Sequence, residues 1–118
     1  MVNKPDIRTA VPKHRYQLGE FQVVVLGEVE SGDAQDYRYI MAVVREGDPE
    51  PGVYLTCERL PAEQRSGGAY GMRLVMRDGA ELLGQEDGWR DLHRFTEDGL
   101  AVLRKLLNLG DETPYRLM

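Results

Sequence analysis

Cysteine is nearly absent: Cys57 is the only one in 118 residues, so neither an internal disulfide nor a cysteine-rich zinc site can form. That usage predicts a reducing, cytoplasmic setting. Histidine is equally scarce. His14 and His93 lie far apart and make no spaced pair of the kind that ligates a transition metal. Long apolar runs are missing too. The longest, Tyr39 to Val44, and the shorter Val23 to Leu26 are strand-sized and far short of the ~20 residues that cross a bilayer. Residues 1–15 lack the apolar stretch and small-residue cleavage site of a secretory signal, so export by that route is not expected, and no membrane partner is.

Chemistry-bearing motifs are also thin. Ser31 and Ser66, the only serines, sit in loop-like segments without a nucleophile-elbow pattern. Cys57 lies mid-strand between Thr56 and Glu58, where a small buried side chain is the expected reading. Gly67, Gly68 and Gly71 carry no following lysine and precede a strand, unlike a phosphate-binding loop. The acids in Asp33/Asp36, Asp48/Glu50 and Glu86/Asp87 do not follow the calcium-loop spacing. Neither a catalytic residue nor a metal ligand nor a cofactor is implied.

Charge has a sign and a distribution. Fifteen Lys and Arg against twenty Asp and Glu leave a net charge of −5, which repels phosphate backbones at long range. Residues 1–15 run the other way, with Lys4, Arg8, Lys13 and Arg15 against Asp6 alone. Interrupted by Pro5 and Pro12, they read as a flexible basic arm. Apolar residues at 42% and charged ones at 30% describe an ordinary globular composition. A single domain is expected over residues 16–110, followed by a tail at 111–118.

Within that domain the local signals favour strands. Residues 20–30 are valine-rich and end at Ser31-Gly32-Asp33; residues 37–46 continue the pattern, and two prolines at 49 and 51 force a loop before a third strand at 53–60. Asp78-Gly79 and Asp87-Gly88 are each suited to a tight hairpin turn. They predict strands near 69–77, 80–86 and 89–95. In the resulting register Leu74, Leu83 and Leu92 share one face with Tyr70, Met72 and Met76. A helix follows over 97–109, with Thr96 as its cap, Phe95 and Leu100 as a hydrophobic staple, an apolar stripe through Leu103, Leu106 and Leu107, and Gly110 to stop it. The fold class is therefore α+β: an antiparallel β meander of about five to six strands packed with one C-terminal α-helix.

Two groups of residues are candidate binding elements. On the face opposite the leucines, Arg73 and Asp91 would flank Gly84, with Arg77 and His93 nearby, a small polar site for an anion or acidic peptide; a surface ion pair is the simpler use. Tyr37 and Tyr39 share a parity on one strand, Tyr54 lies on another, and arginines are interspersed. Such elements can stack nucleobases, although core packing is the commoner use of tyrosines on such strands. A meander closed by a capped helix resembles the layout of the PC4-like and Whirly single-stranded-DNA-binding folds, and also of pleckstrin-homology-type barrels. The resemblance covers the order of elements only, and a fold by itself assigns no function.

The lack of a convergent nucleophile, base or metal set favours a non-catalytic interaction module that associates with itself or with another protein, through a sheet edge or the leucine-bearing helix. Single-stranded nucleic-acid binding is the alternative, disfavoured by the acidic charge. A small enzyme whose site is assembled only by folding is the third reading.

Overall fold

The structure, a computed structural model, describes residues 4–118. Seven strands form one antiparallel sheet: β1 (Ile7–Leu18), β2 (Phe21–Ser31), β3 (Tyr37–Arg45), β4 (Val53–Arg59), β5 (Tyr70–Met76), β6 (Gly79–Gln85) and a short β7 (Tyr115–Arg116). Their order is β6-β5-β4-β3-β2-β1-β7. Six consecutive strands thus make a meander, and one helix, α1 (Leu92–Leu106), lies against it. This is the α+β class expected, with one or two strands more.

The extra strand at the front comes from residues read as a flexible arm. Pro12 does lack an amide hydrogen, but an outer strand tolerates that loss where its ladder slips. β1 slips three times, once between Pro12 and His14, and still pairs with β2 from Ile7↔Ser31 to Leu18↔Phe21. The loop closing that hairpin is Gly19-Glu20, with Gly19 at φ +58° supplying the positive φ of a two-residue turn. The 111–118 tail also joins the sheet, since β7 pairs Tyr115 and Arg116 with Gln17 and Tyr16. Of the expected arm, residues 1–3 lie outside the described residues.

Each face of the sheet has its own core. Under the helix lie Val23, Val25, Tyr39, Met41, Val43, Leu55, Cys57 and Met72, closed by Trp89, Phe95 and Leu103. Ile40, Ala42, Tyr54 and Val75 form the second core on the opposite face, flanked by Ile7, Leu26, Val29 and Tyr37. β4 runs between them, and every residue from Val53 to Glu58 is buried. Burial on both faces explains why its sequence lacks polar alternation.

The helix begins earlier than the sequence suggests. Residues 87–90 form a 3-10 turn, not a hairpin tip, and 89–95 contain no strand. Asp91 caps α1, its Oδ2 accepting from the Arg94 amide at 3.0 Å. Trp89, Leu92, Phe95, Gly99 and Leu103 then recur at helical spacing and face the first core. The Asp-Gly turn signal at 87–88 overshadowed this stripe. Thr96, expected as the cap, sits one turn inside the helix with its hydroxyl buried and unpartnered.

At its other end the helix stops before Gly110. Asn108 takes φ +57°, its amide bonds to the Lys105 carbonyl at 3.2 Å, and the Leu109 amide reaches the Arg104 carbonyl at 2.8 Å. This is the left-handed C-terminal motif that glycine usually supplies and asparagine also tolerates. Gly99 lies where the helix packs tightly on the sheet. A Cβ there would press into Met41 and lie 3.6 Å from Leu55 Cδ1.

Candidate functional site

The predicted polar site does not assemble. Its basis was a three-strand register, and the structure alters that register twice. Met76 pairs with Gly79, which centres the hairpin on Arg77-Asp78 and places Leu74 opposite Glu81 rather than Leu83. A bulge between Leu82 and Gly84 then shifts the remainder. Asp91 is spent as the helix cap. His93, on the first turn of α1, is exposed and pairs with Glu97 at 3.4 Å. Arg77 stands at the hairpin tip beside the 48–52 loop. The three leucines separate as well: Leu83 is 40% exposed on β6, and Leu92 belongs to the helix.

Arg73 instead has a partner that the sequence reading missed. Its Nε donates to Glu58 Oε2 at 2.9 Å, and the Thr56 hydroxyl donates to the same oxygen at 2.6 Å. Glu58 is only 2% exposed. A buried carboxylate needs a cation and hydrogen bonds to offset lost hydration, and this pair supplies both while tying β4 to β5. A shallow cavity of about 210 Å³ opens beside it, bounded by Tyr37, Glu58, Arg73, Val75 and Ala80 among others. The signal in the sequence was an acid inside an otherwise buried run, VYLTCE.

The tyrosines divide between the faces. A bulge between Tyr37 and Tyr39 cancels their shared parity. Tyr39 enters the first core, stacked on Phe95 at a centroid distance of 5.8 Å, and its hydroxyl donates to the Arg90 carbonyl at 2.9 Å. Tyr54 is buried in the second core, where burial and then Glu50 push its hydroxyl up. Tyr37 borders that core and donates to Asp33 Oδ2 at 3.0 Å. Burial, reinforced by Asp33, holds its phenol well above the usual range. Asp33 is itself lowered: burial opposes ionisation, but the Asp6 and Gln35 amides, Tyr37 and Ser31 outweigh it. Tyr39 and Tyr54 are thus occupied in packing and offer no open ring face to a nucleobase.

Cys57 is buried, with its thiol donating to the Trp89 carbonyl at 3.3 Å. Burial pushes that thiol up to about 12, so the nucleophilic thiolate is negligible near neutrality. Among the described residues, no group of three His, Cys, Asp or Glu side chains is placed to hold a metal ion, and no helix is long and apolar enough to cross a membrane.

What remains is a contrast between the sheet's two edges. The outer side of β1 is interrupted by three slips and Pro12, carries Arg8, Lys13 and Arg15, and is capped in part by β7. These are the devices that discourage strand addition. β6, reading GAELLGQ, pairs only with β5 among the described residues; it has one bulge, between Leu82 and Gly84, but neither proline nor basic residue. Leu82 and Leu83 are 36% and 40% exposed on it, as is Met76 alongside. A groove of about 290 Å³, lined by Leu74, Met76 and Ala80 with the hairpin residues, runs next to the strand. Backbone donors and acceptors and apolar side chains are therefore available together at one edge.

Compared with known proteins, the chain matches no family model, no curated protein and no solved structure.

Proposed function

We propose that this protein is a non-catalytic interaction module that associates with a second copy of itself through β6. The observation that carries the reading is the β6 edge, unpaired among the described residues, with Leu82 and Leu83 partly exposed on it. Antiparallel addition of the same strand from another copy would satisfy the edge backbone groups and cover the leucines.

The strand is self-compatible in that arrangement. A two-fold axis normal to the sheet at Leu82 sets Leu82 against its counterpart and leaves Glu81 facing the bulged Leu83 rather than another Glu81. The only charged residue of the strand then avoids its own copy, and like charges directly opposite would be destabilising. Fully burying a leucine contributes about 1.5–3 kcal/mol, and these are already more than half buried, so the leucines add only part of that. A weak, concentration-dependent dimer follows.

Light scattering during size-exclusion chromatography, across a dilution series, tests this directly. The native chain is expected to shift from monomer to dimer with concentration, and Leu83→Lys to remain monomeric with an unchanged circular dichroism spectrum. A native chain that stays monomeric at the highest concentration removes the reading.

A further inference from the structure

At the end of the sheet away from the β5–β6 hairpin, three elements bring arginines around one cleft. Arg59 ends β4, Arg65 follows the short 3-10 turn Ala62–Gln64, and Arg90 ends the 3-10 turn before α1. With Ala69, Tyr70 and Asp87 they line an open cleft of about 480 Å³. A second cavity of about 430 Å³ adjoins it, sharing Arg59 and adding Arg38 and Lys13 opposite Glu28 and Asp36.

The cleft arginines are held by uncharged groups. Arg65 Nε donates to the Leu60 carbonyl at 2.8 Å, and Arg59 Nη2 lies 3.4 Å from the Tyr70 hydroxyl with its guanidinium over the Tyr70 ring. The Arg90 segment is fixed through its carbonyl, which accepts from Arg38 Nε at 3.1 Å and from Tyr39. Among the described residues none of these arginines is in an ion pair, whereas Arg45, Arg73 and Arg94 each are. Neutral anchors orient a guanidinium without cancelling its charge, leaving other N–H groups to face the cleft. Two acids stand near: Asp87, which already accepts from the Ala69 amide at 2.8 Å, and Asp36, which acts on Arg59 from the adjoining cavity without an ion-pair contact and leaves Arg65 and Arg90 the less compensated pair.

From this we infer that the Arg59–Arg65–Arg90 cleft binds a small phosphate-bearing anion, a phosphomonoester or diphosphate. Three guanidinium groups from separate elements suit a tetrahedral oxyanion, whose several oxygens can each meet a different donor, while a planar carboxylate is satisfied by a single guanidinium fork. A polynucleotide fits less well. The protein as a whole is acidic, and the adjacent Tyr39 and Tyr70 rings are buried and cannot stack bases.

Inorganic phosphate and inorganic pyrophosphate, titrated separately into the ¹⁵N-labelled full chain at low ionic strength, provide the test. The Ala69 amide and the Nε–H signals of Arg65 and Arg90 are expected to shift saturably below about 10 mM ligand, with pyrophosphate the tighter of the two. Arg65→Gln and Arg90→Gln should each weaken binding roughly tenfold, the loss of one charge-assisted contact, while Arg45→Gln leaves it unchanged. Absent shifts, or shifts that persist in both cleft variants, overturn the proposal. So does tighter binding of a single-stranded oligonucleotide than of pyrophosphate, which would indicate a polynucleotide surface instead.

Discussion

Replacing Gly99 with alanine separates helix propensity from packing. In an exposed helix interior the change stabilises by about 1 kcal/mol, because alanine loses less backbone freedom on folding. Here the new methyl group meets Met41, with Met41 Cε at 3.3 Å and the Sδ closer still, and Met41 is fully buried. Overpacking of this kind costs about 1–3 kcal/mol. The net expectation is a destabilisation of roughly 1 kcal/mol, or a few degrees in Tm for a domain of this size. Urea unfolding followed by circular dichroism would read it as a lower midpoint at constant slope.

The sign should also depend on Met41. In a Met41→Val background, which removes the obstructing sulfur and terminal methyl, adding Gly99→Ala is expected to stabilise by up to about 1 kcal/mol. A stabilised Gly99→Ala single variant, or the same sign in both backgrounds, would refute close helix–sheet contact at this point.

Other consequences are simpler to state. Glu58→Gln should destabilise by about 3 kcal/mol, near the lower end for a broken buried pair because Arg73 is partly solvated, and a Glu58→Leu/Arg73→Leu double variant should recover most of the loss in chemical denaturation. Asp91→Ala should lower stability by about 1 kcal/mol, whereas Thr96→Val should be neutral or stabilising, since the Thr96 hydroxyl has no partner; the reverse ranking would restore the later helix start. Alkali should weaken the fold. Cys57 is pushed from 9.0 to about 12, so above about pH 9 the unfolded chain loses a thiol proton that the folded chain retains, and stability falls as pH rises toward 12. The upward shifts of Tyr37 and Tyr54 act in the same direction above about pH 10. A flat unfolding midpoint from pH 8 to 11 would contradict that account.

The legible parts of the fold share a cause. β2, β3 and β4 lie within a residue of their expected spans because β-branched runs bounded by Gly, Pro and Asp clusters carry a local signal on both sides. The candidate site was not legible, because parity along a strand holds only until a bulge intervenes. One bulge was enough to send Tyr37 and Tyr39 to opposite faces, and the recentred β5–β6 hairpin with its bulge at Leu82–Gly84 moved Gly84 away from Arg73, whose partner Glu58 lies across the regular β4–β5 ladder. Nothing in the residue types alone marks where an extra residue enters a ladder.

By itself the amino-acid sequence determined the class, the central strands, the existence of the helix and the inert buried cysteine, since each follows from local propensity and hydrophobic spacing. Tertiary structure alone decided that β1 docks on β2, that Asp91 begins the helix, that Glu58 is buried beside Arg73, and that three arginines distant in sequence share a cleft. Those outcomes depend on pairings between residues far apart in the chain, whose energies are set by register and burial rather than by neighbours in sequence.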